Sequence, residues 1–175
     1  MGRVTIITGE MDAGKTTELI RLYSELLSGT ADGFASIKAF SKQGAFEGYD
    51  LKRLATGTTA PFIRLSKDDE VPPQQESFGF DRFTFLREPL AATEDVIRDI
   101  ISDPAIRTIL LDEIGPVELQ GNGFCSALKS LLESEKDLYL CINRKNLDPV
   151  AKKFGIVTYR LIEVEDQTFP SSWKK

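Results

Sequence analysis

Residues 1–20 read Met-Gly-Arg-Val-Thr-Ile-Ile-Thr-Gly-Glu-Met-Asp-Ala-Gly-Lys-Thr-Thr-Glu-Leu-Ile, and three successive patterns lie inside them. The β-branched run up to Thr8 predicts a buried strand. Gly9, Glu10, Met11, Asp12, Ala13, Gly14, Lys15 and Thr16 match G-x-x-x-x-G-K-T, and a helical pattern begins with Thr17, Glu18, Leu19 and Ile20. Gly9 and Gly14 allow backbone conformations and a close approach that side chains would obstruct. Successive N–H groups can then surround phosphate oxygens at the start of a helix. The strand, the four fixed positions and the helix agree with one another, which selects a phosphate-binding loop over a solvated glycine turn.

The residues Gly9 to Thr17 are therefore the candidate binding set, with separate tasks. Lys15 brings a point charge to the β and γ phosphates of a triphosphate, Thr16 offers its hydroxyl to a magnesium ion, and Thr17 is placed for an outer phosphate oxygen.

A chain of 175 residues, 41% hydrophobic and 28% charged, fits one α/β domain over 1–175. No apolar run approaches the ~20 residues needed to cross a bilayer, so no membrane partner is expected. The strand begins almost at Met1, so no export signal is expected. Ile6 stands where a myristoylation signal needs Ser or Thr, and the expected location is cytoplasmic. The net charge of −5 and the pI of about 4.9 argue against a broad nucleic-acid surface, so no nucleic-acid partner is expected. Cys125 and Cys141 are the only cysteines and there is no histidine, which excludes a zinc site or a Cys-His pair; both cysteines are expected reduced and packed.

Beyond the loop, Leu19, Ile20, Tyr23, Leu26 and Leu27 outline a crossover helix with Gly29 as its stop. From about 32 to 65 the period changes to two. The breaks at 41–44 and 55–58 predict a three-strand antiparallel meander of Phe34 to Phe40, Phe46 to Leu54 and Pro61 to Leu65. Residues 66–76, charged and carrying Pro72-Pro73, read as a mobile connection. Phe78 to Leu86 predicts one strand, and Glu88-Pro89 starts a helix with Leu90, Thr93, Ile97 and Ile101 on its buried face, helped by Val96 and Ile100, and with Asp103-Pro104 as its end. Ala105 to Leu111 predicts the next strand, Asn122 the cap of a helix burying Phe124, Leu128, Leu131 and Leu132, and Leu138 to Ile142 another strand. Asp148-Pro149 caps a short helix that stops at Gly155, and Ile156 to Val164 supplies a last strand before a tail holding Trp173. Strands alternating with helices indicate a mainly parallel sheet covered on both faces.

The strand of 108–111 ends in Asp112-Glu113, a carboxylate pair suited to lie opposite the phosphate loop. Asp112 would hold the metal, and Glu113 would accept a proton from the attacking water, with Glu118 the next candidate base. Adjacent strand residues point to opposite sides, so the two acids converge only if the chain turns; Gly115-Pro116 is the expected break.

Three stretches together resemble the THEP-type P-loop nucleoside triphosphatases: the Gly9-to-Thr17 loop; Gly48-Tyr49-Asp50 with Thr56-Gly57; and Asp112-Glu113-Ile114-Gly115-Pro116-Val117-Glu118-Leu119. The likeness spans nearly the whole chain, and the last stretch is its most specific part. It implies a three-layer, RecA-like α/β fold with the antiparallel meander inserted beside a mainly parallel sheet. It also implies Mg2+-dependent hydrolysis of ATP, GTP and other nucleoside triphosphates to diphosphate and phosphate, with loose base selectivity. The family favours Pro-Gly where this chain has Met11-Asp12, and a carboxylate at Asp12 should repel phosphates unless it points to solvent or to a cation. Arg144, in Asn143-Arg144-Lys145-Asn146, falls where the family places basic residues and is the candidate for stabilising transition-state charge.

Three rival readings share these motifs. A GTP switch fails because Lys145 is one place late for Asn-Lys-x-Asp and the aspartate is missing. A small-molecule or nucleotide kinase shares the loop but lacks an arginine-rich lid. A nucleotide-binding interaction module would use the meander as its partner surface. The assembly state is open, with a monomer the expectation.

Overall fold

The computed structural model describes residues 2–27, 29–66 and 77–165. In chain order the strands are β1 (Val4–Gly9), β2 (Ala31–Phe40), β3 (Phe46–Arg53), β4 (Thr59–Leu65), β5 (Ser77–Phe80), β6 (Phe83–Leu86), β7 (Thr108–Ile114), β8 (Asp137–Asn143) and β9 (Arg160–Glu163). The helices are α1 (Lys15–Leu22), continued by a π-helical turn over Tyr23–Leu27, then α2 (Arg87–Ser102), α3 (Pro116–Leu119), α4 (Cys125–Glu133) and α5 (Leu147–Phe154). All strands join one sheet in the order β5-β6-β4-β3-β2-β7-β8-β1-β9.

The sheet is mixed, and the expected mainly parallel sheet is only half of it. From β2 through β7, β8 and β1 to β9 every pairing is parallel; from β2 through β3, β4 and β6 to β5 every pairing is antiparallel. The reason is connection length. The β2–β3, β3–β4 and β5–β6 connections are short turns without a helix, and a parallel return needs a crossover. The expected meander is present, but it continues the main sheet through β2, whose first residues pair with β7.

Period-two side-chain alternation explains why both faces of the parallel half are covered. Ile6, Ile109, Leu111 and Leu140 face the core beneath α2 and α4, whereas Ile7, Leu110 and Cys141 face Leu19 and Leu22 of α1. Both cysteines are free and buried, as expected.

Several boundaries move. Phe78 to Leu86 is a hairpin of two strands, because Asp81 adopts φ 54° and reverses the chain. The strand expected from Ala105 starts at Thr108 and runs to Ile114, and the last strand is confined to Arg160–Glu163. Asn122 does not cap α4; Phe124 holds that position, and Asn122 lends only its carbonyl to the N–H of Cys125. Helix α5 starts at Leu147, so Asp148-Pro149 lies inside its first turn, while Gly155 ends it at φ 65°. On α2 the expected Leu90, Thr93, Ile97 and Ile100 are buried, whereas Ile101 is only partly so. The connection over 67–76 and Trp173 lie outside the described residues, as do the side chains of Leu26 and Leu27. No described helix is long and apolar enough to cross a membrane.

One glycine shows how closely the two halves of the sheet are joined. Gly33 of β2 has φ 150° opposite Leu110 of β7, and a Cβ there would stand 1.9 Å from the Leu110 carbonyl oxygen. Gly33→Ala should therefore part β2 from β7, with a loss of about 3 kcal/mol or more and a melting midpoint lowered by roughly 10 °C, read by thermal unfolding.

Candidate active site

Strand β1 delivers the chain to Gly9, whose missing side chain is required locally: a Cβ would lie 2.6 Å from the Val164 carbonyl oxygen just beyond β9. The loop then curls through Asp12 at φ 61° and Gly14 at φ 98°, and α1 begins at Lys15. The Lys15 ammonium is buried across the loop and donates to the carbonyl of Glu10 at 2.6 Å and of Gly9 at 3.3 Å. Asp12, which borders both concavities at the loop, pairs with Lys38 of β2 at 2.9 Å. That hydrogen bond raises the Lys38 pKa and supplies the cation that relieves the repulsion anticipated between Asp12 and phosphate.

Opposite the loop, Asp112 is 1% exposed on β7. Its Oδ2 accepts from the Thr16 hydroxyl at 2.7 Å and the Ser36 N–H at 3.0 Å, and its Oδ1 accepts from the Glu113 N–H at 3.0 Å. Burial raises the Asp112 pKa, and the hydrogen bonds from Thr16 and Ser36 oppose the rise. Cys141 on β8 is a neighbour that the sequence offered no reason to place here. Its thiol donates to the Lys15 carbonyl at 3.6 Å, and burial followed by the Asp112 charge pushes its pKa well up, so it stays a thiol.

The turn that lets the two acids converge occurs at Glu113 itself, not at Gly115-Pro116. Leu111 pairs with Leu140 and Ile114 with Ile142, so β7 uses one residue more than β8 in that interval. This bulge carries Glu113 to φ 60° and swings it out of the strand. Its carboxyl reaches solvent at the floor of a concavity, with protein on several sides. Burial first and the Asp112 charge second push its pKa up to about 7, and Lys15 acts in the opposite sense.

Glu118, the alternative base, has a structural contact of its own at the edge of the concavity. It is buried, and its two oxygens are taken by the N–H groups of Gly115 at 2.8 Å and Phe124 at 3.0 Å, which ties the turn after β7 to the start of α4. Arg144 is half-exposed and paired with Glu163 at 3.1 Å and, more distantly, Glu10 at 3.9 Å; Lys145, its neighbour, is the basic residue that faces the concavity.

Two chambers meet at Lys15 and Glu113. The polar one, about 340 Å3, is bordered by Thr16, Thr17, Ser36 and Lys38. The other, about 410 Å3, has a largely aromatic wall. Ser36, which sequence reasoning missed, carries a buried hydroxyl with no hydrogen-bond partner among the described residues, at the edge of the polar chamber. Among the described residues no three Cys, Asp or Glu side chains form a ready-made metal cage, so a cation here would need ligands from a bound molecule as well.

With this geometry in hand, the comparisons are concordant. A family model described as NTPase matches residues 4–168. The nucleoside-triphosphatase THEP1 of Methanosarcina acetivorans is 26% identical over 150 residues, covering 85% of this chain and 80% of that protein. The THEP1 of Pyrococcus abyssi is 29% identical over 143 residues, covering 81% and 75%. Among solved structures, a human cancer-related nucleoside triphosphatase superposes with a TM-score of 0.70 at 26% identity, over 95% of this chain and 90% of that one. THEP1 from Aquifex aeolicus shares the fold with a TM-score of 0.64 at 21% identity, over 93% and 90%.

The raised Glu113 pKa has a consequence for the metal-free protein. Between 4.5 and about 7 the folded state binds a proton that the unfolded chain has lost, so this group makes stability fall as pH rises through that window. Glu113→Gln removes the effect. Its melting temperature should exceed the parent's at about pH 8, with the margin shrinking toward about pH 5; a margin independent of pH would show that the carboxyl is not desolvated.

Proposed function

The chain belongs to the NTPase family, and on that premise we propose that it hydrolyses nucleoside 5'-triphosphates, ATP, GTP and others, to diphosphate and phosphate in a magnesium-dependent reaction. The observation that carries this reading is the 2.7 Å contact between the Thr16 hydroxyl and the Asp112 carboxylate. It joins the phosphate loop to the acid-bearing strand beside Lys15 and Glu113.

The donor set fits a magnesium ion. Thr16 Oγ1 and Asp112 are hard oxygen ligands, Asp112 is a desolvated carboxylate that a cation would stabilise, and the partnerless Ser36 hydroxyl lies beside them. Thr16 and Asp112 would hold the ion, with Ser36 supporting a ligand water; when bound, it neutralises phosphate charge.

The remaining chemistry falls to the chain. Loop N–H groups from Gly9 to Thr17 cradle the phosphates, and Lys15 exchanges the Glu10 and Gly9 carbonyls for phosphate oxygens. Glu113 orients a water toward the γ phosphorus and takes its proton as the new P–O bond forms. The bond from the γ phosphorus to the bridging oxygen breaks, and the nucleoside diphosphate leaves. The bulge makes this division of labour work, because it brings two adjacent acids, which a regular strand would point to opposite faces, to the same site. Asp12, held by Lys38, is kept off the phosphates, and Arg144 would stabilise transition-state charge by releasing Glu163 and Glu10.

Lys15→Ala should weaken triphosphate binding and lower turnover by roughly 10² or more; a folded variant with unchanged phosphate release would sink the assignment of the loop. Glu113→Gln should bind nucleotide within about twofold of the parent yet turn over roughly 10² more slowly, while Asp112→Asn should also shift the magnesium dependence. Calorimetric binding and single-turnover phosphate release separate the two. Ser36→Ala should raise the magnesium concentration needed to protect the nucleotide-bound protein from thermal unfolding, and an unshifted requirement would remove Ser36 from the metal's surroundings.

A further inference from the structure

The triphosphate chain, a metal ion and one water belong to the polar chamber, and the second chamber takes no part in the hydrolytic steps above. That chamber, about 410 Å3, opens on the same Lys15 and Glu113 that border the first. Its wall is Tyr49 of β3, Phe62 of β4 and Phe83 and Phe85 of β6, closed by Val117 and Phe124. Phe62 stacks on Phe124 with centroids 5.5 Å apart and meets Phe85 edge-on at 5.8 Å, and Tyr49 leans on Phe83 at 6.1 Å, so the surface is preformed.

Three features point to an organic occupant. The size and the combination of an apolar wall with polar groups at one end are those of a small-molecule site, whereas attack by water needs no apolar surface. The wall comes mainly from the antiparallel strands, none of which carries a phosphate-loop or acidic-strand residue. The charged side chains around it are of both signs, with Arg82 over the Phe83 ring at 5.2 Å, Asp81 beside it, and Lys145 and Glu113 at the phosphate end, which suits an uncharged ligand.

We propose that the aromatic chamber binds a second substrate, an uncharged molecule with a flat aromatic body and an alcohol group, and that this alcohol receives the γ-phosphoryl group in place of water. The step rests on the triphosphate site proposed above and balances in the same way. The acceptor O–H gives its proton to Glu113, the acceptor oxygen bonds to the γ phosphorus, and the bond to the bridging oxygen breaks. The products are a phosphate monoester and a nucleoside diphosphate. Nucleosides and hydroxymethyl-substituted heteroaromatics are the available probes of this class.

The test supplies the full chain with magnesium, ATP labelled in its γ phosphate, and a panel of those probes, and separates labelled ester from labelled inorganic phosphate. Binding of each probe is read in parallel by ligand-observed NMR. The expected result is ester formed one for one with diphosphate. Phe83→Ala should lower ester formation roughly tenfold or more while phosphate release without acceptor stays within about twofold of the parent. If Phe83→Ala does not fold, Phe83→Leu keeps apolar volume and removes the ring, and the same loss is expected. Label found only in inorganic phosphate, with no probe bound, would overturn the proposal while leaving hydrolysis in place; absence of any diphosphate would overturn both readings. A Phe83→Ala protein with a raised KM for ATP and an unchanged KM for inorganic tripolyphosphate would give the chamber to the nucleotide's own base, and would equally overturn it.

Discussion

The Asp112 carboxylate is the point on which the site depends. A carboxylate that is 1% exposed is tolerated only when its oxygens are hydrogen-bonded, and here the donors come from α1, from β2 and from its own strand. One side chain thereby fixes the distance between the phosphate loop and the acidic strand, although Thr16 and Asp112 lie on elements separated by most of the chain.

From that point the two halves of the sheet divide the work. The parallel half places β8 between β1 and β7, which brings the end of β1 and the end of β7 to the same edge with one strand of clearance. Open α/β sheets bind ligands at the carboxyl ends of parallel strands, and the loop after β1 and the bulge in β7 both lie there. The antiparallel half borders the polar chamber through Ser36, Ile37 and Lys38 of β2, which belongs to both halves, and Tyr49 of β3. Its aromatic residues extend the concavity past Glu113.

The site is held at a cost in local stability. Asp12 and Glu113 both occupy left-handed backbone conformations that branched or bulky residues avoid, and Glu113 is kept beside the like charge of Asp112. Glu118 offsets part of this by binding two N–H groups across the turn that follows, and a Cβ on Gly123 would fall 2.3 Å from its Oε1. The acid that looked like a spare base is thus the brace of the turn next to the proposed one.

Sequence alone determined the loop, because the spacing of Gly9, Gly14, Lys15 and Thr16 is a local property of a strand-to-helix turn and needs no distant partner. It determined both acids, their strand and most of the helices for the same reason, since hydrophobic period and terminal residues act over a few positions. The tertiary structure decided whatever depends on residues remote in sequence. It decided that Asp12 meets Lys38, that Ser36 and Cys141 adjoin Asp112, that Lys145 and not Arg144 faces the concavity, and that the chain turns at Glu113. A bulge is set by the register between two strands, and register is a relation between β7 and β8 that neither segment encodes by itself.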